Sequence, residues 1–82
     1  MYKNKAKNGI NNICGLKIKQ YREGLPQRTS QRRFAELMQA EGIDLDKNAI
    51  QRIESGKRFV TDIELKAFAR VLGVSYSDLL DE

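Results

Sequence analysis

The stretch from Asp46 to Gly56 constrains the fold most, because it has a capping residue at each end and residues of different polarity on its two faces. Asp46 can accept hydrogen bonds from the free N–H groups of a first helical turn, and Gly56 suits the left-handed residue that ends a helix. At about 100° per residue, Ile50 and Ile53 share one face, with Glu54 at its edge. The stretch therefore predicts a short amphipathic helix with one apolar face.

The opposite face of this helix is polar, and it consists of Asn48, Gln51, Arg52 and Ser55. Amide, guanidinium and hydroxyl groups are the donors and acceptors that recognition of base edges in a DNA major groove requires. An ordinary solvent-facing helix side has the same composition. The choice between these two interpretations depends on the rest of the chain.

The composition excludes most classes of enzyme and metal protein. The 82 residues contain one cysteine, Cys14, and no histidine, so disulfides, the usual zinc sets and Ser-His or Cys-His pairs are ruled out. No apolar run approaches the ~18 residues that span a bilayer. The carboxylate pairs 44/46 and 62/64 fit helix starts better than a catalytic site. We expect one small cytoplasmic domain that is not an enzyme, with no metal, cofactor, small-molecule ligand or membrane contact.

The charge is distributed unevenly along the chain. Residues 1–33 contain nine Lys or Arg and one acid, a net charge of +8, whereas residues 34–82 contain six Lys or Arg and ten acids, a net charge of −4. A basic half of this kind indicates a polyanionic partner. Within it, residues 1–13 include Lys3, Lys5 and Lys7 and little that is apolar, so we expect a flexible basic arm before a domain over residues 14–82.

The rest of the chain predicts four more helices and no strand. Helix one runs from Gly15 to about Gly24, and helix two runs from a cap at Thr29 or Ser30 to about Ala40. Helix four follows a Thr61–Glu64 capping box and ends at Gly73, and Ser75 caps a short last helix. Phe59 and Val60 are expected to anchor the loop before helix four.

Two opposite charges fall at the inward edges of different helices. Arg22 lies four residues after Ile18 on the same helix face, and Glu54 lies four residues after Ile50 in the same way. An unpaired buried charge is costly, and a guanidinium can hold a carboxylate with two hydrogen bonds. We therefore expect Arg22 and Glu54 to form a structural ion pair.

Four short motifs occur in order over about residues 15–80. They are Gly15-x-x-Ile18-x-x-Tyr21-Arg22, Ser30-Gln31-x-x-Phe34-Ala35, Ile50-x-x-Ile53-Glu54-x-Gly56-Lys57 and Leu72-Gly73-Val74-Ser75 with Leu79-Leu80. Together they resemble the Cro/cI (XRE) helix-turn-helix family. The resemblance implies an all-α, compact five-helix domain of the lambda-repressor-like type, in which helices two and three form the helix-turn-helix.

The resemblance also implies residue roles. Lys47, Asn48 and Arg52 match the family's base-reading positions, with Gln51 beside them, and Arg22 and Glu54 match a buried ion pair of the family. Contacts with DNA phosphates are expected from Ser30, Gln31, Lys57 and Arg58, and from the helix N-terminus at Thr61. One feature departs from the family pattern: Ile50 comes fifteen positions after Ala35, where the family has about ten, so helix two, the following turn or both must be longer.

The sequence therefore predicts a prokaryotic or phage-type, nucleoid-associated regulator, a repressor, that binds a double-stranded DNA operator through residues 46–55. A homodimer is expected, because one helix specifies too few base pairs, and its interface should involve the end of helix four, Val74–Tyr76 or the last helix. A helical protein–protein module such as an antitoxin or anti-repressor is the alternative. The acidic C-terminal half would be its binding surface.

Overall fold

A computed structural model describes residues 9–81, which form five helices and no strand. The helices are α1 (Gly15–Glu23), α2 (Gln31–Ala40), α3 (Lys47–Glu54), α4 (Asp62–Leu72) and α5 (Tyr76–Leu80). The predicted all-α fold with five helices is confirmed. None of the described helices is long and apolar enough to cross a membrane. Lys3, Lys5 and Lys7 of the predicted arm lie outside the described residues.

Four of the five helices begin at a side-chain cap, which satisfies one of the backbone N–H groups that a first turn leaves free. In each case the side-chain oxygen accepts a hydrogen bond from the backbone N–H three residues later. The caps are Ser30, Asp46, Thr61 and Ser75. Glycines with positive φ follow α2, α3 and α4, at Gly42, Gly56 and Gly73. Most helix boundaries are thus set by local chemistry.

The core is built from one inward side chain or more on every helix. The rings of Phe34 on α2 and Phe68 on α4 stack with their centroids 5.7 Å apart. Ile18 on α1, Ile53 on α3 and Leu79 on α5 are also fully buried around them. Because α1 contacts α3, α4 and α5 while α2 packs on α3 and α4, the outward face of α3 is held by a single shared core.

The start of α1 lies directly against the end of α3. Gly15 is buried there, and a Cβ atom at this position would overlap the carbonyl oxygen of Ile53. Only glycine permits so close an approach of two backbones. The glycine at the start of the first motif is therefore required by packing.

Residues 41–46 form the long connection between α2 and α3. Leu45 is buried in the core and Ile43 is half-buried. The side chain of Gln39 donates a hydrogen bond to the Leu45 carbonyl at 3.0 Å, and Arg70 of α4 pairs with Glu41 at 3.3 Å. The residues that lengthen this connection therefore pack against the domain.

The expectation that Phe59 anchors the loop before α4 is wrong, because its side chain is 45% exposed. Polar backbone contacts hold the loop instead. The N–H groups of Lys57 and Arg58 donate to the Arg52 carbonyl at 2.8 and 3.3 Å. Val60, the other predicted anchor, is half-buried against the core.

Candidate nucleic-acid interface

The two faces of α3 differ sharply in their surroundings. Ile50 and Ile53 are buried. The predicted base-reading residues all lie on the exposed side: Lys47, Asn48, Gln51 and Arg52. Asp46 starts the helix by accepting the Ala49 N–H at 2.8 Å. An eight-residue helix thus presents four polar side chains to solvent.

An ion pair fixes the C-terminal end of α3 to α1. Arg22 donates to both carboxylate oxygens of Glu54, from Nε at 2.7 Å and from Nη2 at 3.0 Å. The two side chains are only 9% and 3% exposed. The hydrogen bond to Glu54 raises the pKa of Arg22 above its ordinary value, so the guanidinium stays charged. This is the pairing that the positions of the two residues on their helix faces predict.

The same ion pair reaches the N-terminus of α2. Arg22 also donates from Nη1 to the Thr29 carbonyl at 2.8 Å, and Gln31 donates from Nε2 to Glu54 at 3.0 Å. Three helices therefore meet at one carboxylate. The orientation of α3 relative to the start of α2 depends on this network.

The N-terminus of α2 keeps part of its capacity to bind an anion. The Ser30 hydroxyl oxygen accepts the Arg33 N–H at 3.1 Å, which leaves its O–H free to donate. Gln31 donates one amide N–H to Glu54, and its second amide N–H is available to donate to another acceptor. Both residues predicted to contact phosphate therefore retain a donor.

Two basic residues near these donors were not singled out in the sequence. Arg28 lines a surface groove with Ser30 at the start of α2, and Arg32 lines a second groove with Lys47 at the start of α3. Both arginines are exposed. The only sequence signal for them was the excess of positive charge in residues 1–33, which does not say which cations share a surface with α3.

The two predicted cations of the α3–α4 loop have different surroundings. Lys57 is exposed and forms no ion pair within residues 9–81. Arg58 instead contacts the Glu64 carboxylate, from Nη1 at 3.0 and 3.2 Å and from Nη2 at 3.2 Å. Lys57 therefore offers a full charge to solvent, whereas Arg58 is already paired.

The N-terminus of α4 is also occupied by a carboxylate. Glu64 accepts the Thr61 N–H at 3.0 Å while the Thr61 hydroxyl accepts the Glu64 N–H at 3.2 Å. Burial alone would raise the pKa of the Glu64 carboxyl, but hydrogen bonds from Arg58 and Thr61 lower it to below its ordinary value. With Asp62 also in the first turn, this arrangement does not favour the phosphate contact predicted for Thr61.

Asn12 has a structural role that the sequence does not indicate, because the sequence predicts a flexible arm over residues 1–13. Its Oδ1 accepts the Gly15 N–H at 2.8 Å, and its Nδ2 donates to the carbonyls of Ile53 at 3.1 Å and Arg58 at 2.7 Å. Asn11 adds a backbone bond to the Gly56 carbonyl at 2.8 Å. These contacts tie the chain before α1 to the end of α3 and to the basic loop.

The described residues contain no group of three or more His, Cys, Asp or Glu side chains arranged to hold a metal ion. What they present is a helix with an exposed polar face, flanked by a helix N-terminus and a basic loop. A family model described as helix-turn-helix matches residues 18–79. Comparison with curated proteins and with solved structures gives no significant match.

Proposed function

The chain belongs to the helix-turn-helix family, of the Cro/cI (XRE) type, and we propose that it is a repressor that binds a specific double-stranded DNA operator. Membership of this family makes it a DNA-binding regulator. The observation that carries the more specific proposal is the exposed polar face of α3, which consists of Lys47, Asn48, Gln51 and Arg52.

In this proposal α3 lies in the major groove. Asn48 can make two hydrogen bonds to adenine, and Arg52 or Lys47 can donate to guanine, because these pairings match the donors and acceptors of each base edge. A good bidentate contact contributes about 1–3 kcal/mol of discrimination against the wrong base. Gln51 lies beside them on the same face.

Contacts with phosphates would set the register of α3 on the duplex. Ser30 and Gln31 at the start of α2 and Lys57 after α3 keep free donors for this purpose. Arg28 and Arg32 add positive charge at the α2 side. Contacts of this kind fix position without reading sequence.

Selection of bound duplexes from a random library tests the proposal directly. We expect enrichment of a near-palindromic motif of two half-sites, with centres ~10–10.5 base pairs apart or a multiple of that spacing. Binding without any enriched motif would contradict sequence-specific recognition. An absence of duplex binding would favour the protein–protein module instead.

A second copy of the chain is part of the proposal, because one helix that contacts three or four bases specifies only about four or five base pairs. Tyr76 and Leu80 of α5 and Ile63 of α4 are 50%, 38% and 68% exposed, and they line one shallow apolar groove. This groove includes the last helix, where the sequence placed the dimer contact. It offers a patch that a two-fold axis could pair with itself.

Ultracentrifugation of the chain with a full-site duplex tests the dimer. We expect two chains per duplex and a loss of cooperativity in Tyr76→Asp, while affinity for a half-site stays near wild type. Leu16→Asp is the matched control, since Leu16 is also exposed but does not line this groove. One chain per duplex on every selected site would contradict the dimer.

A further inference from the structure

Lys57 and Arg58 are adjacent cations in the same loop, yet only one of them faces an acid. Arg58 makes three hydrogen bonds to Glu64 and a fourth to the Phe59 carbonyl at 3.2 Å. Its side chain is 35% exposed and that of Glu64 is 12% exposed. The pair is therefore partly shielded from solvent, whereas Lys57 is not.

The capping box at the start of α4 does not require the negative charge of Glu64. Its hydrogen bonds with Thr61 form a capping box, and glutamine serves at this position as well as glutamate. The negative charge suits the N-terminus of α4, and among the described residues its one ion pair is with Arg58. The carboxylate is also held in its ionised form, since its pKa lies below the ordinary value.

A cation that is already paired adds little to the attraction for DNA. Affinity for a duplex rises with each phosphate that a protein charge neutralises, through the release of condensed counterions. A phosphate that took Arg58 from Glu64 would leave that carboxylate unpaired and close to a second anion. The loop therefore presents about one effective charge to DNA where the sequence shows two.

We propose that Glu64 is a positioning residue that neutralises Arg58 and so limits the sequence-independent affinity of this domain for DNA. The inference rests on the proposed function, because it concerns the same DNA-facing loop. Lys57 supplies the phosphate contact of the loop. Glu64 acts through Arg58 and leaves the bases that α3 prefers unchanged.

The test measures binding to a random-sequence duplex and to a selected site over a series of salt concentrations. In Glu64→Gln the capping box is kept and Arg58 is released, so both duplexes should bind roughly three- to tenfold more tightly near 0.1 M salt, with a salt slope steeper by about one unit. In the wild-type background, Lys57→Ala should lower the slope by about one unit, and Arg58→Ala should change it little.

Two controls separate this effect from a general change in charge. Glu41→Gln also removes one acid from an ion pair, with Arg70, but neither residue is placed at the DNA-facing surface. It should leave the salt slope unchanged. The double variant Glu64→Gln/Arg58→Ala should lose the gain of Glu64→Gln, because the released cation is then absent.

Equal slopes for Glu64→Gln and Glu41→Gln would overturn the inference, and so would a full unit of slope lost in Arg58→Ala alone. The comparison of Arg58→Ala with Lys57→Ala decides the matter even if Glu64→Gln does not fold. A wild-type chain that binds no duplex at any salt concentration would reject the proposed function itself. If the wild-type chain binds duplex but the variants show unchanged salt slopes, only the inference about Glu64 is rejected.

Discussion

The two faces of α3 lie on opposite sides of one short helix and have opposite relations to the rest of the protein. Ile50, Ile53 and Glu54 are at most 7% exposed and contact other helices. Asn48 and Arg52, on the other side, are exposed and free of ion pairs within residues 9–81. Substitutions on the inward face should change folding, and substitutions on the outward face should change DNA recognition.

This difference shows how a small domain can combine a fixed scaffold with a variable reading surface. The inward face is constrained at every position, by apolar contacts and by a carboxylate that three helices share. The outward face is constrained only by its need to remain polar. A change of base preference therefore need not cost stability.

The largest expected effect is on the inward face. Arg22→Ala or Glu54→Ala leaves its partner buried without an opposite charge, and each should lower the free energy of unfolding by about 3–5 kcal/mol. A domain of 82 residues has about 4–12 kcal/mol in total. Denaturant unfolding followed by circular dichroism measures the loss. Arg22→Met with Glu54→Leu should recover part of it, because both charges are then removed.

The matched control for this prediction is the ion pair of Arg33 and Glu36, which has the same chemistry on an exposed helix side. Its side chains are 60% and 53% exposed, with N···O at 3.2 Å. Exposed pairs contribute about 1 kcal/mol or less, so Arg33→Ala should unfold almost like the wild type. Similar losses at both pairs would show that burial does not distinguish them.

A smaller effect is expected where the chain before α1 meets the end of α3. Asn12→Ala removes the hydrogen bond that Oδ1 accepts from the Gly15 N–H and two hydrogen bonds to carbonyls, which should lower the free energy of unfolding by about 1–3 kcal/mol. Asn11→Ala is the control, because its side chain makes one bond, to the Lys57 carbonyl at 2.9 Å, and its Oδ1 has no partner among the described residues. Thermal melting of the two variants gives the comparison, and equal melting temperatures would remove the structural assignment of Asn12.

Much of the fold could be predicted because its determinants are local. An N-cap is next to the helix turn that it begins, and a terminal glycine is next to the turn that it ends. A period of 3.6 residues identifies the inward side of a helix. The pairing of Arg22 with Glu54 followed from the same period, since both charges occupy equivalent edges of their helices. These features need no knowledge of the tertiary arrangement.

The features that were missed depend on segments that meet only in the folded chain. Asn12 contacts residues more than 40 positions away, and nothing in its neighbourhood of Asn and Gly distinguishes it from a polar tail. The pairing of Arg58 with Glu64 crosses a loop whose path the sequence does not specify. The exposure of Phe59 also depends on the path of this loop, which backbone contacts of Lys57 and Arg58 fix.

The central claim is that the outward face of α3 reads DNA bases, and selection from a random duplex library with Asn48→Ala and Arg52→Ala tests it most directly. Each variant should melt like the wild type and lose preference at one or two base positions, with about 1–3 kcal/mol less discrimination there. Lys19→Ala, which removes an exposed cation from α1, should select the wild-type motif. If Asn48→Ala and Arg52→Ala also select the unchanged wild-type motif, α3 does not read the bases.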